Sequence, residues 1–243
     1  MINIASPVIE EEERRAVNEV IESGMLAQGP KVAELEESWA KYCGVKHALA
    51  VNSGTAAIHC ALYAAGVGEG DEVITTPYSF IATINPILML GARPVLVDID
   101  EETFNIDVSK IEAAITDKTK AIIPVDLYGQ PCDWKELRET ADKHELKIIE
   151  DACQAIGAEY DGVKTGALGD FGCFSLYATK NIMCGEGGVV TTNSDDAAAA
   201  IRSFRQHGMT SSYEYADLGY NYRMSDLHGA IAVEQLKKVE NFR

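Results

Sequence analysis

Short apolar runs recur along the chain, and stretches with apolar residues at helical spacing separate them. The runs predict strands near residues 48–51, 72–76, 94–97, 121–125, 147–149, 171–176 and 188–192. The intervening stretches predict helices near residues 55–65, 79–90 (interrupted by Pro86), 107–115, 133–145 and 195–206. Continuous apolar strands that alternate with helices indicate a mostly parallel sheet covered on both faces. The expected fold class is therefore α/β, with three α/β/α layers.

Further helices are predicted near the two ends of the chain. Residues 9–23 are acidic and amphipathic, and one face carries Ala16, Val17, Val20 and Ile21. A second helix carries Val32, Leu35 and Trp39 and closes near Gly44. The last helix, residues 225–240, has Ser225 as N-cap and an inward face of Leu227, Ile231, Leu236 and Val239. We expect one large domain over residues 1–243, in which about the first 45 residues form a helical segment.

The charge balance argues against two kinds of partner. The 243 residues carry 21 basic and 38 acidic side chains, a formal net charge of −17. Nucleic acids and anionic membrane surfaces both attract basic faces, so neither is expected as a partner. The start of the chain lacks a signal-peptide pattern, no apolar run approaches a membrane span, and the six cysteines are scattered. We expect a cytoplasmic protein with reduced thiols and no metal site.

Several residues that could carry chemistry follow predicted strands, and ligands of open parallel sheets bind beyond the carboxyl ends of the strands. Residues 53–56 (Ser-Gly-Thr-Ala) follow the first strand and open a helix. Gly54 permits a close backbone approach, while the hydroxyl and amide groups of Thr55 and Ala56 face the helix N-terminus. This arrangement suits a phosphate. It is equally compatible with a simple capped helix start.

Two further strand ends carry an acid and a lysine. Asp151 follows the strand at 147–149, where a carboxylate at the sheet edge needs a cationic partner or several donors. A protonated pyridine nitrogen would serve, and a helix cap or structural salt bridge is the alternative. Lys180 lies 29 positions later (180 − 151), so both side chains could reach one cleft, to which Ser175 could add a hydroxyl. A lone lysine after a strand is usually a surface residue, but the compatible junctions together favour a chemical use. The neighbouring Glu150 is assigned no role.

Six short motifs occur in a fixed order along the chain. They are Ser-Gly-Thr-Ala at 53–56, Glu-Asp-Ala-Cys-Gln-Ala at 150–155, Ser-Leu-Tyr-Ala-Thr-Lys-Asn at 175–181, Gly-Glu-Gly-Gly at 185–188, Arg-Gln-His-Gly at 205–208 and Gly-Tyr-Asn-Tyr-Arg-Met at 219–224. Together they resemble the PLP-dependent nucleotide-sugar aminotransferases, the DegT group of the fold-type I enzymes. The resemblance runs from about Ala5 to the end of the chain, and the ordered set is specific although no single motif is.

This resemblance implies a PLP site. Lys180 would hold the cofactor as a Schiff base and move the proton between the substrate carbon and the cofactor. Asp151 would pair with the pyridinium nitrogen, which keeps the ring an electron sink. Gln154 would bond the ring hydroxyl. The phosphate would be held by four residues: Gly54, Thr55, Ala56 and Ser175.

The resemblance also implies aromatic contacts and a second subunit. Phe80 would stack on the ring, and Tyr177 would lie near the reacting carbon. Core packing explains either aromatic residue equally well. Asn221 would reach the phosphate of the partner subunit's cofactor, unless it is simply a turn asparagine. A homodimer with shared active sites is therefore expected.

The implied activity is ping-pong transamination. Glutamate would donate the amino group, and a keto group on a nucleotide-linked deoxysugar would accept it, in the synthesis of cell-surface glycans or of secondary-metabolite sugars. One rival is the deoxysugar dehydratase of the same family, which typically has histidine in place of the lysine found here at Lys180. A second is another fold-type I enzyme acting on amino acids or cysteine. A third is a non-catalytic or regulatory PLP-binding protein.

Members of the family usually continue into a smaller C-terminal domain that covers the active site. We expect that domain to be absent from this chain. Its absence predicts exposed apolar surface on the last helix, where the domain would pack.

Overall fold

The computed structural model describes residues 6–242. Its strands are β1 His47–Val51, β2 Glu72–Thr75, β3 Arg93–Leu96, β4 Thr119–Ile122, β5 Lys147–Asp151, β6 Glu159–Tyr160, β7 Val163–Lys164, β8 Phe171–Ser175, β9 Gly188–Thr192, β10 Met209–Ser211 and β11 Glu214–Tyr215. Seven of these form one sheet in the order β1-β9-β8-β5-β4-β2-β3. In this sheet β9 runs antiparallel to its neighbours β1 and β8, and the other neighbouring pairs are parallel. The expected mostly parallel sheet is confirmed.

Helices cover both faces of this sheet. They are α1 Glu11–Ser23, α2 Pro30–Cys43, α3 Gly54–Ala64, α4 Asn85–Met89, α5 Ile111–Ala114, α6 Trp134–Lys143, α7 Asp195–Phe204, α8 Asp226–Lys237 and α9 Val239–Phe242. Within residues 6–242, none of these helices is long and apolar enough to cross a membrane. All six cysteines are free thiols, as expected.

The alternation of side chains along the strands divides the core into two layers. Leu49 of β1 and Ile149 of β5 pack with α3 and α7 on one face. The intervening residues face the other side, where Ala50 packs with α2 and α8. Ile148 on that side packs with α6. Three layers therefore enclose the sheet, and the fold class is confirmed.

Two helix predictions need correction. The predicted helix at 79–90 is a 3-10 turn at Ile81–Thr83 followed by the short α4, because Pro86 has no N–H and begins a helix better than it continues one. In α1, Ala16 and Val20 are buried, but Ile21 is 57% exposed and does not belong to the inward face. A hairpin turn connects β6 and β7.

The last predicted helix is divided into α8 and α9, and Ser225 caps α8 by accepting a hydrogen bond from His228 N. Leu236 and Val239 are buried as predicted. Leu227 and Ile231 are only half-buried. The face of α8 that packs on the core is instead the one with small residues, where Gly229 lies against α2. None of the exposed large apolar side chains in the described chain lies on α8, so the predicted apolar surface on this helix is wrong.

The strand directions bring several chain segments to one edge of the sheet. β1, β2, β5 and β8 all end at this edge, and β9 begins there. The loops that leave these strands therefore converge, as expected for a ligand site in an open α/β sheet.

Candidate active site

A cavity of about 490 Å³ lies at this carboxyl edge of the sheet. Most of the residues predicted for the site line its wall: Gly54, Thr55, Phe80, Asp151, Gln154, Ser175, Tyr177 and Lys180. These residues come from four chain segments that are distant in sequence. The structure therefore brings together the acid, the lysine and three of the four proposed phosphate contacts.

Gly54 begins α3 at the floor of the cavity, where the helix approaches β8 closely. A Cβ at this position would lie 2.8 Å from Ser175 Cβ and 3.1 Å from Cys153 Sγ, so no larger residue fits without a shift. The side chain of Ser53 caps the helix and leaves Thr55 facing the cavity. The N-terminal end of α3 and the Ser175 hydroxyl thus form a cradle suited to an anion.

Two predicted residues lie outside the cavity wall. Ala56 is buried, and its N–H donates to Ser53 Oγ at 3.1 Å, so this amide is already used as part of the helix cap. Asn221 is exposed in a bridge with Gln206, and its carbonyl oxygen accepts a hydrogen bond from Asn52 Nδ2. Their contacts with a phosphate stay predictions.

The carboxylate of Asp151 is 4% exposed and is oriented by two donors. Thr83 Oγ1 donates to Oδ2 at 2.8 Å, and Cys153 N donates to Oδ1 at 3.2 Å. Among residues 6–242 no basic side chain forms an ion pair with it. A buried carboxylate that faces a cavity in this way is suited to a cationic group of a ligand.

Lys180 lies on the tight loop between β8 and β9. The backbone N–H of Lys180 donates to Tyr177 O at 2.9 Å, and Ala178 N donates to Gly185 O at 3.1 Å. These two bonds close the loop. The half-buried side chain lines this cavity and also a second, larger one of about 1040 Å³. Lys180 therefore stands between the two cavities.

The side chain of Gln154 has a fixed orientation. Its Oε1 accepts a hydrogen bond from Tyr128 N at 3.2 Å, so its amide nitrogen is left to donate. Because Gln154 lines the same cavity as Asp151 and Lys180, this donor is available to a ligand oxygen. The predicted bond to a ring hydroxyl needs a donor of this kind.

The rings of Phe80 and Tyr177 are exposed at the cavity, with 71% and 47% of their surface accessible. Neither belongs to a core cluster, so core packing does not explain them. Stacking of Phe80 on a bound ring stays a prediction.

Sequence reasoning missed Thr83, which holds Asp151, and Ser79, whose hydroxyl is 2.8 Å from that of Thr83. The available signal was the pair of hydroxyl residues four positions apart just after β2. Sequence reasoning gave Cys153 no role in the site, but it is half-buried and lines the cavity. Burial and the nearby Asp151 carboxylate raise the pKa of its thiol well above the usual value, so it remains protonated.

The residues of the cavity fit PLP. The carboxylate of Asp151, which has no basic partner among residues 6–242, matches the ring nitrogen, and the donor of Gln154 matches the ring hydroxyl. The cradle at Gly54 and Ser175 is closed to any Cβ and matches the phosphate. Lys180 lines the same wall with a primary amine, which can attach an aldehyde.

The chain is similar in sequence and in fold to several known proteins. The chain is 47% identical over 242 residues to GDP-perosamine synthase of Caulobacter vibrioides, which covers 98% of this chain and 65% of that protein. It superposes on DesV from S. venezuelae with a TM-score of 0.92 and 39% identity, covering 95% of this chain and 62% of that one. A GDP-4-keto-6-deoxymannose-3-dehydratase that holds a trapped PLP-glutamate geminal diamine gives a TM-score of 0.94 at 31% identity, covering 99% and 69%.

The chain thus spans roughly two thirds of the length of these proteins, 62% to 69%. Its fold is that of the PLP-binding large domain of fold-type I aminotransferases. Residues 7–243 match one family over nearly the whole sequence. The chain belongs to the DegT/DnrJ/EryC1/StrS aminotransferase family.

Proposed function

We propose that this chain binds PLP at Lys180 and acts in a cytoplasmic sugar aminotransferase. The amino group would come from glutamate, and the acceptor would be the keto group of a nucleotide-linked deoxysugar. The observation that carries the proposal is the meeting of Lys180, Asp151 and the Gly54–Ser175 cradle around one cavity. This set supplies an amine, a carboxylate and an anion site, which transamination with PLP requires.

Each residue has a defined task in this proposal. PLP, when bound, supplies an electron sink for the carbon that carries the substrate amino group. Lys180 would hold the cofactor through Nζ, and its amine would move the proton at the reacting carbon. Asp151 faces the ring nitrogen, because Thr83 and Cys153 donate to its two oxygens and so orient the carboxylate.

The remaining residues orient the cofactor. Gln154 donates to the ring hydroxyl, since its oxygen is already bonded to Tyr128 N. Thr55 and Ser175 bind the phosphate beside the α3 N-terminus, and Phe80 covers one face of the ring.

A sugar nucleotide is supported by the larger cavity. It occupies about 1040 Å³, shares Gln154, Thr179 and Lys180 with the first cavity, and extends to Tyr128 and Ile156. A substrate longer than an amino acid can therefore lie beside Lys180 and extend away from it. The similarity to GDP-perosamine synthase supports the same class of acceptor.

We also propose a homodimer in which Asn221 approaches the partner's phosphate site. The support is the exposed position of Asn221, outside the cavity wall of its own subunit. The hairpin of β10 and β11 exposes the large side chains of Tyr213 and Tyr215, and Leu218, three residues after the hairpin, is exposed as well. Exposed apolar residues of this kind commonly mark protein interfaces.

The dehydratase remains the rival function within the family, because a dehydratase structure superposes closely. Lys180 separates the two functions, since the family's dehydratases typically have histidine there. An aminotransferase is favoured because a lysine amine can attach PLP covalently and an imidazole cannot.

The experiment is titration of the purified chain with PLP, followed by visible absorbance. The expected result is a new absorption band that borohydride abolishes, with the cofactor mass fixed on the peptide that contains Lys180. The matched variant Lys180→Ala should lack both the band and the mass. Glutamate should convert bound PLP to the amine form, and a 3-keto or 4-keto deoxysugar nucleotide should restore it. A folded chain that takes up no PLP would contradict the proposal.

A further inference from the structure

Two carboxyl groups, Asp126 and Glu150, lie together in the core beneath the candidate site. Both side chains are 0% exposed. Each has one buried oxygen without a hydrogen-bond donor, Asp126 Oδ2 and Glu150 Oε2. The two groups lie within hydrogen-bond reach of each other. They belong to neighbouring segments of the sheet, and the transamination proposed above uses neither.

The other oxygen of each group is already satisfied. Asp126 Oδ1 accepts hydrogen bonds from Cys132 N at 2.9 Å and Trp134 Nε1 at 3.3 Å. Glu150 Oε1 accepts one from Gly166 N at 2.6 Å. The protein therefore places its donors on one oxygen of each carboxyl group and leaves the second oxygen of each for the other group.

Two ionised carboxylates in such contact repel each other and lack the water that would stabilise them. Burial raises the pKa of Asp126 to about 6. Burial, followed by the charge of Asp126, raises the pKa of Glu150 well above its usual range. The titratable groups that face the pair from the packed elements are the thiols of Cys43, Cys132 and Cys173, whose own pKa values are raised by burial.

We infer that Asp126 and Glu150 share one proton, held on Glu150 and donated to Asp126, and that this bond fastens the strand end that carries Asp151. One proton converts the contact from repulsion into a charge-assisted O–H···O⁻ hydrogen bond. It also satisfies both orphan oxygens at once.

The bond acts on the candidate site through the backbone. Asp126 N donates to Asp151 O at 3.1 Å, and Asp151 N donates to Pro124 O at 2.9 Å. Glu150 and Asp151 are neighbours whose side chains point to opposite faces of the sheet. The pair therefore fixes the backbone of Asp151 from the face that the cofactor cavity does not reach.

The bond also reaches Gln154. Asp126 holds the turn after β4 through Cys132 and Trp134, and the same turn contains Tyr128, whose N–H fixes the side chain of Gln154. Asp126 and Glu150 are thus positioning residues for both Asp151 and Gln154. They do not contact a ligand themselves.

Amide substitutions test the shared proton, because each amide supplies a permanent donor of the same shape. In Glu150→Gln the side-chain NH₂ donates to Asp126 Oδ2, and in Asp126→Asn the NH₂ donates to Glu150 Oε2. Each single variant should keep a thermal midpoint close to that of the wild type. In the double variant two NH₂ groups face each other without an acceptor, so its midpoint should lie roughly 3 to 10 °C below that of either single variant.

The double variant discriminates between the protonation states. If both groups were ionised, replacing both charges would give the most stable protein of the four. If both were protonated, the double variant would resemble the single variants. Either result would overturn the inference.

Two further measurements report the protonation state of the pair and not only the stability of the fold. Infrared spectra of the wild type should contain a band of a buried protonated carboxyl group, and Glu150→Gln should lack it. A carboxyl group with a raised pKa stabilises the fold at low pH and loses that contribution as pH rises. The thermal midpoint of the wild type should therefore fall relative to that of Glu150→Gln as pH rises above about 4.5, the usual pKa of a glutamate side chain. The shared proton would be contradicted if the thermal midpoints of the wild type and Glu150→Gln changed in parallel with pH. It would also be contradicted if the wild type showed no infrared band of a protonated carboxyl group. Neither readout requires the proposed activity.

Discussion

The hydroxyl of Thr83 donates a 2.8 Å hydrogen bond to Asp151 Oδ2, inside the wall of the candidate cofactor cavity. The two residues are 68 positions apart, and both are nearly inaccessible to water. Thr83 thus orients the carboxylate that would pair with the cofactor ring. Ser79 bonds the same hydroxyl and fixes its direction.

Replacing Thr83 by valine keeps the shape of the side chain and removes this donor. We expect PLP to bind roughly tenfold more weakly to Thr83→Val, since a hydrogen bond to a charged group contributes about 1.5 kcal/mol. Thr83→Ser retains the hydroxyl and is the matched control. Spectrophotometric titration with PLP gives both affinities. Equal affinities of the valine and serine variants would show that Thr83 does not act through Asp151.

The close approach of α3 to β8 gives a second prediction. In Gly54→Ala the new methyl group would lie 2.8 Å from Ser175 Cβ, so α3 must move away from the strand. We expect a loss of stability of about 1 to 3 kcal/mol and a weaker phosphate contact. Thermal unfolding and PLP titration measure the two effects.

Gly68→Ala is the matched control for Gly54→Ala, because no atom lies within 4 Å of the Cβ position of Gly68. It should be neutral or slightly stabilising, since alanine restricts the unfolded chain more than glycine does. A Gly54→Ala protein that is as stable as Gly68→Ala and binds PLP equally well would exclude the proposed cradle.

A third prediction concerns the start of α2, which has no cap within its own segment. Asp226, the first residue of α8, accepts hydrogen bonds from Gly29 N at 2.8 Å, Val32 N at 2.9 Å and Lys31 N at 3.1 Å. Asp226→Ala would leave these N–H groups without their acceptor in a buried contact. We expect it to lower the free energy of unfolding by about 2 to 4 kcal/mol.

The control is Asp195→Ala, because Asp195 occupies the equivalent position after the N-cap serine of α7. There the carboxylate is exposed and pairs with Lys46 and His47 at the surface. Surface pairs of this kind contribute less than about 1 kcal/mol. Denaturant unfolding of the two variants should separate them clearly. Similar losses would mean that Asp226 acts only as an acidic residue at the start of its own helix.

These two Ser-Asp helix starts show how far sequence reasoning extends. The pattern predicts an N-cap at Ser225, and the structure confirms it. Nothing in the pattern distinguishes Asp226 from Asp195, because the use of Asp226 depends on α2, nearly 200 positions away in the chain. Local periodicity identifies strands, caps and turns, whereas contacts between distant elements depend on how those elements pack.

The candidate site shows the same division. The strand ends could be predicted, so Asp151, Ser175 and Lys180 were expected at one edge, where the structure has them. Thr83 and the pair of Asp126 and Glu150 were not expected, because each acts through a partner in another strand or turn. The prediction that Ile21 faces inward was wrong for a related reason. Helical spacing gives the direction of a side chain but not the extent of the surface that covers it.

The contact of α1 with the end of α8 contains a buried acid with several donors. Glu13 is 1% exposed and accepts hydrogen bonds from Lys238 Nζ, Gln235 Nε2 and Glu10 N. Burial opposes its ionisation, but the donors outweigh burial and lower its pKa to about 2. The ionised form is therefore much better stabilised in the folded protein than in the unfolded chain.

A carboxyl group with a lowered pKa stabilises the fold above its unfolded pKa, and this contribution is lost as pH falls through the folded pKa. For Glu13 that window runs from about pH 4.5 down to about pH 2. We expect Glu13→Gln to be less stable than the wild type by about 1 to 3 kcal/mol at neutral pH, with the difference shrinking across this window. Glu11→Gln is the control, because Glu11 is exposed on the same turn and should follow the wild type. Chemical denaturation at several pH values measures the difference. If it stays constant between pH 4.5 and pH 2, the charge of Glu13 is not what stabilises the contact between α1 and α8.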